Sequence, residues 1–229
     1  MRSQFCRSQK SLAAPYLPAS ACALPCSPLL LRPSAFSSSC SVFGLFLKEG
    51  VKRRVEELVR GKTAVVCGNA PCLESDLREA GFSSSSSSHD SVSVVVIAAD
   101  GATSVLLRNA LLPDIVVTDL DGEVADEIHA NRLGAVLVVH AHGDNIAALR
   151  SVLPALNEEV LCTTQSRPFR NIYNFGGFTD GDRCVFLAKE FGARRVELLG
   201  FDFEDEGVSE RKRKKLKWAK RLISISTAP

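Results

Sequence analysis

Asp119-Leu120-Asp121 sets two carboxylates one residue apart. In an extended segment alternate side chains project to the same side, so this spacing brings like charges together, and unpaired they repel. A Mg²⁺ ion would relieve that repulsion, because it binds through one or two carboxylates and completes its octahedron with water and substrate phosphate oxygens. The competing arrangement is a solvated turn in which Asp121-Gly122 caps the next helix. Further acids, in Asp100-Gly101, Asp144-Asn145 and Thr179-Asp180-Gly181-Asp182, also lie close to the ends of apolar runs or the starts of helical ones. If one sheet edge gathers these acids, their convergence favours a polyphosphate site with one or two Mg²⁺ over passive capping. Asp100 and Asp182 keep helix capping as an alternative role.

Other residues at the same inferred edge have chemistry of their own. Gly68-Asn69-Ala70-Pro71-Cys72-Leu73 reads either as a strand-to-helix turn offering backbone N–H groups to phosphate or as an ordinary tight turn. It has neither the GxGxxG spacing nor the Lys-Ser/Thr of a P-loop. His140 and His142 flank Ala141 and could bind zinc or relay protons, but no third nitrogen or sulfur ligand accompanies them, which favours a structural or substrate-orienting pair. Gln165, Asn171, Asn174 and Gly176-Gly177, with Phe175 and Phe178, have the composition of a heterocycle pocket: amides to read ring edges, aromatics to stack, glycines for close approach. Asn and Gly are equally loop formers. Arg211-Lys212-Arg213-Lys214-Lys215, continued by Lys217, Lys220 and Arg221, should be mainly a solvated helix face, with one or two cations free to lie over the acidic edge and neutralise phosphate.

The elements that must position these groups alternate along the chain. Apolar, β-branched runs predict strands at 63–66, 92–98, 115–118, 135–140, 160–163 and 196–199. Amphipathic segments predict helices at 52–60, 74–80, 104–111, 123–133, 146–156, 182–191 and 210–223. Runs such as VSVVVIAA and GAVLVVHA are apolar on both faces rather than alternating, as in strands covered on each side. The expected fold is therefore α/β: a Rossmann-like, doubly wound, mostly parallel sheet with helices on both faces, which binds ligands beyond the carboxyl ends of its strands.

Charge divides the chain further. Residues 1–48 carry five basic side chains and no acid, and 211–229 carry eight and no acid, leaving 15 basic against 26 acidic between them, a net −11. Such a body repels nucleic acid unless the basic tail acts alone. No run approaches the ~20 apolar residues that span a bilayer. Cys6, Cys22, Cys26 and Cys40 lie in the first segment, while Cys67, Cys72, Cys162 and Cys184 are scattered through the body; no disulfide set or zinc pair emerges, and the latter four should behave as small buried apolar groups. Residues 1–48 form a Ser/Pro-rich extension expected to be disordered, either transit-like or foreign to the folded protein; 49–223 form the domain and 224–229 a tail. The expected compartment is the cytoplasm, with organelle import if the extension is a transit segment. Residues 83–88, six serines, look like a flexible surface insertion.

In this order, ADGATSVLL, PDIVVTDLDG, VVHAHGDN, the Gln165 segment, FGGFTDGDR, LLGFDF and KKLKWAK resemble the archaeal 6-hydroxymethyl-7,8-dihydropterin pyrophosphokinase family of methanopterin biosynthesis, over roughly residues 61–223. A looser similarity, in ADGA and the PDxxxxDxD piece, is to thiamine pyrophosphokinase. The first resemblance implies Mg²⁺-dependent transfer of pyrophosphate from ATP to the hydroxymethyl group of a reduced pterin, with release of AMP. It implies ATP and the reduced hydroxymethylpterin as partners, no nucleic acid and no membrane, with a homo-oligomer left open. Matched motif by motif, it places metal on Asp119, Asp121 and Asp144, with Asp100 close by. It places proton acceptance on Asp144 or Asp180, and nucleotide or substrate contacts on Gly68, Asn69, Pro71, Asp100, Gly101, Asn145, Gln165, Thr179 and Asp182. The family's first loop usually reads GxGPSL, whereas GNAPCL puts Ala70 in place of a glycine and Cys72 in place of a capping serine. The alternatives are a thiamine pyrophosphokinase-like enzyme, a non-catalytic Mg-nucleotide-binding module, or an interaction protein using the basic tail.

Overall fold

The computed structural model describes residues 50–82 and 94–227. Expectations for residues 1–48 and for the serine run at 83–88 lie outside the described residues. In chain order the elements are α1 (Gly50–Val59), β1 (Thr63–Cys67), α2 (Leu73–Glu79), β2 (Val94–Ala99), α3 (Ala102–Arg108), β3 (Ile115–Thr118), α4 (Val124–Arg132) and β4 (Val136–Ala141). They continue with α5 (Ile146–Val152), a 3₁₀ turn (Leu153–Ala155), β5 (Val160–Thr164), β6 (Ile172–Tyr173), α6 (Asp180–Glu190), β7 (Arg195–Leu199) and α7 (Glu210–Thr227).

The strands form a single seven-stranded sheet in the order β6-β5-β4-β3-β2-β1-β7, and every ladder in it is parallel. β3 and β4 are buried along their whole length, which explains why their sequences show no alternation. Because a strand's side chains alternate, Val65 and Cys67 enter one core while Ala64 and Val66 enter the other. The first core is closed by α2, α3, α4 and α5 through Leu73, Leu77, Leu106, Ala130 and Leu149. The second is closed by α1, α6 and α7 through Val51, Val55, Val59, Val185, Leu187 and Ile223. Val51, Val55 and Val59 recur every fourth residue, so α1 presents one apolar stripe, and each buried valine contributes about 2 kcal/mol. The fold is thus α/β and doubly wound, as the both-sided apolar runs required.

The winding locates the site. From β1 the chain steps outward strand by strand to β6, then α6 carries it back to β7 on the other side of β1. The strand order therefore reverses between β1 and β7, the place where open α/β sheets leave a crevice. There the two chain segments nearly touch. Gly68 N donates to Leu199 O at 2.8 Å and Ala70 N to Gly200 O at 2.9 Å, while Gly200 N donates to Asp76 Oδ2 at 2.8 Å.

Several boundaries differ from the sequence expectation. β6 was not foreseen, because two residues are too few to carry a pattern. The fifth helix stops at Val152 and continues only as the 3₁₀ turn, where Pro154 lacks the N–H that a longer α-helix would need. α7 runs to Thr227, through most of the expected tail, with the hydroxyls of Ser224, Ser226 and Thr227 bonding back to Lys220 O and Ile223 O in its last turns. Cys67, Cys162 and Cys184 are buried free thiols, but Cys72 is only half-buried.

Gly200 has φ +69° and an added Cβ would lie 2.7 Å from Leu73 Cβ, whereas Gly61, at φ +73°, has open space around it. Gly61→Ala should cost about 1 kcal/mol from backbone strain alone, and Gly200→Ala about 3 kcal/mol because crowding is added. Urea unfolding of the two variants checks this; equal losses would show that the β1–β7 crevice tolerates a side chain.

Candidate active site

The acids gather where the winding puts them. Asp100 follows β2 in the left-handed region, at φ 41°, with its amide donating to Val117 O at 2.8 Å. After β3, the Thr118 hydroxyl accepts the Leu120 amide at 2.8 Å and Leu120 turns to φ 65°, burying its side chain in the first core. The segment is therefore not extended as expected, because Leu120 must reach the core. Asp119 and Asp121 nevertheless come together, flanking the buried leucine. Non-glycine residues held at positive φ cost roughly 1–3 kcal/mol each, and two of them at adjacent strand ends mark a place shaped for something other than stability.

The carboxylates feel one another. Burial raises the pKa of Asp119, and hydrogen bonding and repulsion from Asp121, with the charge of Asp100, raise it further, against a lowering by His142. Burial also raises Asp100, with Asp121 adding to the rise and Glu127 opposing it. Asp180, at the first turn of α6, is pushed up to about 7, first by burial and then by Asp119, Asp100 and Asp121, although Arg183 pulls it down. Gly122 gives the cluster room: a Cβ there would lie 2.8 Å from Asp100 Oδ2 and closer still to Oδ1.

Two participants were missed by the sequence reading. Glu127 on α4 is 1% exposed, beside Asp100 and Thr118; burial first, then hydrogen bonding with and repulsion from Asp100, push it up to about 9, against a lowering by Thr118. Its signal was helical spacing, since Glu127, Ala130 and Asn131 form the buried face of α4. Arg183, one turn after Asp180, places Nη1 3.3 Å from Asp180 Oδ1, while its buried Nε has no hydrogen-bond partner. Its signal was the Asp180–Arg183 i,i+3 pair inside FGGFTDGDR.

The histidines do structural work with an exposed edge to the cluster. His140 Nδ1 lies 3.1 Å from Thr163 Oγ1, and burial, then Arg183 and His142, lower its pKa to about 3, so the ring is neutral. His142 Nδ1 accepts the Asp144 amide at 3.3 Å, which assigns the ring proton of the neutral form to Nε2, 3.5 Å from Asp119 Oδ2.

The remaining expected residues separate by what their side chains already touch. Asn145 is buried and stitches two strand ends together, donating to Asp119 O at 2.7 Å and His140 O at 2.8 Å and accepting from His142 N at 3.0 Å. Its side chain thereby holds these two loops together. Asp182 is fully buried and caps α6, with Oδ1 accepting the Thr179 amide at 2.6 Å and the Thr179 hydroxyl, and Oδ2 accepting the Phe178 amide at 2.7 Å. Asp144 is exposed, and the groups acting most strongly on Asp119 are Asp121, His142 and Asp100 instead. In the first loop, the Gly68 and Ala70 amides are bonded to the β7 end and Pro71 has none, so fewer donors face outward than a phosphate cradle would use. Asn69 is exposed and lies against Gly101, where a Cβ would be 3.1 Å from Asn69 Cγ. Gln165 is exposed in the loop after β5. Of the expected heterocycle pocket, Phe175 is used internally, stacked on Tyr173 with centroids 5.6 Å apart and edge-on to Phe191 at 5.2 Å, whereas Phe178 is exposed.

As a cation site, the cluster offers Asp119, Asp121 and Asp100. Asp119 Oδ1 is buried with no hydrogen-bond partner, an acceptor left waiting for a positive ligand. Among the described residues no three His, Cys, Asp or Glu side chains close around one point. That donor set suits a hard cation that keeps water and brings phosphate oxygens, and does not suit an all-protein zinc cage.

Comparison with known proteins gives the family. The profile of the family described as 6-hydroxymethylpterin diphosphokinase MptE-like matches residues 46–207. The chain belongs to this family. Among its MptE-like relatives, the 6-hydroxymethyl-7,8-dihydropterin pyrophosphokinase of Methanothermobacter thermautotrophicus is 48% identical over 170 residues, covering 74% of this chain and 70% of the relative. The proteins of the same name from Pyrococcus furiosus and Methanocaldococcus jannaschii are 42% and 34% identical, over 76% and 75% of this chain and 75% and 77% of their own. This MptE-like domain has, among the described residues, no helix long and apolar enough to cross a membrane.

Glu127 gives a measurable pH signature. Its folded pKa of about 9 lies above the ordinary 4.5, so the native state holds a proton that the unfolded chain releases, and stability falls as pH rises between these values. In metal-free buffer, Glu127→Gln should raise the Tm over wild type at pH 8 and change it little at pH 4. A Tm difference that does not vary with pH would show that Glu127 is already ionised in the fold.

Proposed function

We propose that this chain transfers pyrophosphate from ATP to the hydroxymethyl oxygen of a reduced 6-hydroxymethylpterin and releases AMP. One observation supports it above the rest: Asp100, Asp119, Asp121 and Asp180, from three separate strand-end or helix-start segments, act on one another at the carboxyl edge of a parallel sheet. The relatives, named 6-hydroxymethyl-7,8-dihydropterin pyrophosphokinases, suggest the acceptor and the group transferred.

Asp119 and Asp121, with Asp100 beside them, would hold Mg²⁺, which when bound neutralises the ATP phosphates. Asp180 stands ready to accept the proton of the attacking hydroxyl, because a carboxylate with a pKa near 7 is poised for transfer near neutral pH. The hydroxymethyl oxygen bonds to the β-phosphorus as the bond from that phosphorus to the bridging oxygen of AMP breaks. The proton passes to Asp180, and AMP leaves as the phosphate monoester. Arg183 holds the Asp180 carboxylate and carries a buried positive charge beside the reacting phosphates. Neutral His140 ties the β4 end to Thr163 of β5, and the Asn145 bridge ties the β3 and β4 ends together, without adding charge. Positioning and charge neutralisation supply most of the acceleration, since phosphoryl transfer leaves little covalent work to the protein.

A second reading, a nucleotide-binding module without turnover, draws on the first loop, whose Gly68 and Ala70 amides are taken up by β7. A coupled AMP assay with ATP, Mg²⁺, reduced hydroxymethylpterin and thiamine separates the readings. AMP should form with the pterin alone; AMP with thiamine alone, or with neither, overturns the proposal. Asp121→Ala should lower kcat by about 10³-fold or more, and a wild-type rate at saturating Mg²⁺ would remove Asp121 from the metal set. The acid limb of the pH–rate profile should fall at or below pH 7, because a bound cation lowers the Asp180 pKa from its metal-free value of about 7. Asp180→Asn should abolish that limb along with most of the rate.

A further inference from the structure

The basic helix and the exposed phenylalanine meet at a place that the acidic edge does not explain. Phe178, Glu210, Arg211, Lys214, Lys215 and Trp218 line one cleft of about 500 Å³, within the range of sites for nucleotide-sized ligands. Lys214 and Lys215 lie three and four residues after Arg211 and four and three before Trp218, so the four side chains share one side of α7. This face is not the one that enters the core through Ala219 and Ile223. Lys214 is held by Glu210 at 2.8 Å, while among the described residues Arg211 and Lys215 form no ion pair. Phe178 is 49% exposed and Trp218 40% exposed, large apolar surfaces facing water at the same cleft. The Arg221 guanidinium stands 5.4 Å from the centre of the Trp218 ring.

Flat aromatic surfaces beside unpaired cations recognise a flat heterocycle carrying negative charge. The cleft is also tied to the acidic edge: Phe178 is two residues before Asp180, and the Asp182 carboxylate that accepts the Phe178 amide caps the helix on which Asp180 sits. Accordingly, and resting on the function proposed above, we propose that the nucleotide occupies this cleft, its base against Phe178 and Trp218 and its phosphates drawn by Arg211 and Lys215. The acidic edge repels polyphosphate unless a cation intervenes, and the α7 face supplies fixed positive charge beside it.

Trp218 is the sole tryptophan of the chain, so its fluorescence reports the cleft directly. The full chain is titrated with ATP and Mg²⁺, with AMP, with inorganic triphosphate and with the reduced pterin. ATP should quench Trp218 to saturation. Arg211→Ala combined with Lys215→Ala should weaken that binding about tenfold or more. Phe178→Ala should weaken ATP while leaving triphosphate unchanged. Circular dichroism checks that these surface variants fold, and calorimetric titration measures the same affinities without the fluorophore. Absence of quenching by ATP in a preparation that forms AMP overturns the cleft assignment and leaves the proposed reaction standing. Saturable quenching in a preparation that forms no AMP supports the cleft and overturns the reaction. Quenching by the pterin but not by ATP, or unaltered ATP affinity in the double variant, also overturns the assignment.

Discussion

Carboxylates that share a buried edge cannot all be ionised without a positive partner, and this repulsion organises the chain's functional end. Asp100, Asp119, Asp180 and Glu127 are all raised above their ordinary ranges, with burial as the first cause in each and neighbouring acids adding to it. In a structural network such groups would be paired with cations. Here Arg183 and His142 are the positive or potentially positive groups that act on the cluster, and Asp119 Oδ1 is buried with no hydrogen-bond partner. The deficit costs stability in the free protein, and a cation bound among these carboxylates would recover it. A site designed in this way is worse as a fold and better as a receptor.

The sheet makes that deficit possible. Parallel strands direct all their carboxyl ends to one side, so loops separated by dozens of residues deliver their acids to one place. The loops are then locked by contacts within the protein. Asn145 ties the β3 end to the β4 end, Gly122 lets the Asp100 carboxylate lie against backbone, and the Thr118 hydroxyl holds Leu120 in the turn that separates Asp119 from Asp121. Each of these residues fixes the position of a carboxylate.

This division explains what the sequence revealed. Direction and burial of the sheet were legible because strands covered on both faces are apolar at consecutive positions, and the acids were legible because they follow those strands. The turn at Leu120 was not, since no residue type there demands positive φ; the need to bury the leucine while the chain reverses does. The resemblance placed Asn145 among the substrate contacts, and its bonds to Asp119 O and His140 O, which depend on how two loops meet, were not legible in the sequence. Glu127 escaped notice because a single acid on a helix is normally solvated, and its burial is a property of the α4 packing face. Phe175 and Phe178 looked alike in sequence, yet one belongs to the Tyr173–Phe175–Phe191 cluster and the other faces solvent.

The short segment from Phe178 to Asp182 connects these separate pieces. Asp182 accepts the amides of Phe178 and Thr179 and the Thr179 hydroxyl, so one buried carboxylate fixes the entry angle of α6. That angle sets Asp180 against the other acids on one side and leaves Phe178 beside the α7 cations on the other. Gly177 permits it, because a Cβ there would lie 2.9 Å from the Arg183 backbone. Gly181 lets the helix start approach Phe201 after β7, to within 2.9 Å of a built Cβ. A cap usually serves only the helix it begins. Here the same carboxylate helps set the relative placement of the acidic edge and the cationic cleft, so the spacing between the two is held by buried hydrogen bonds rather than by the exposed side chains themselves.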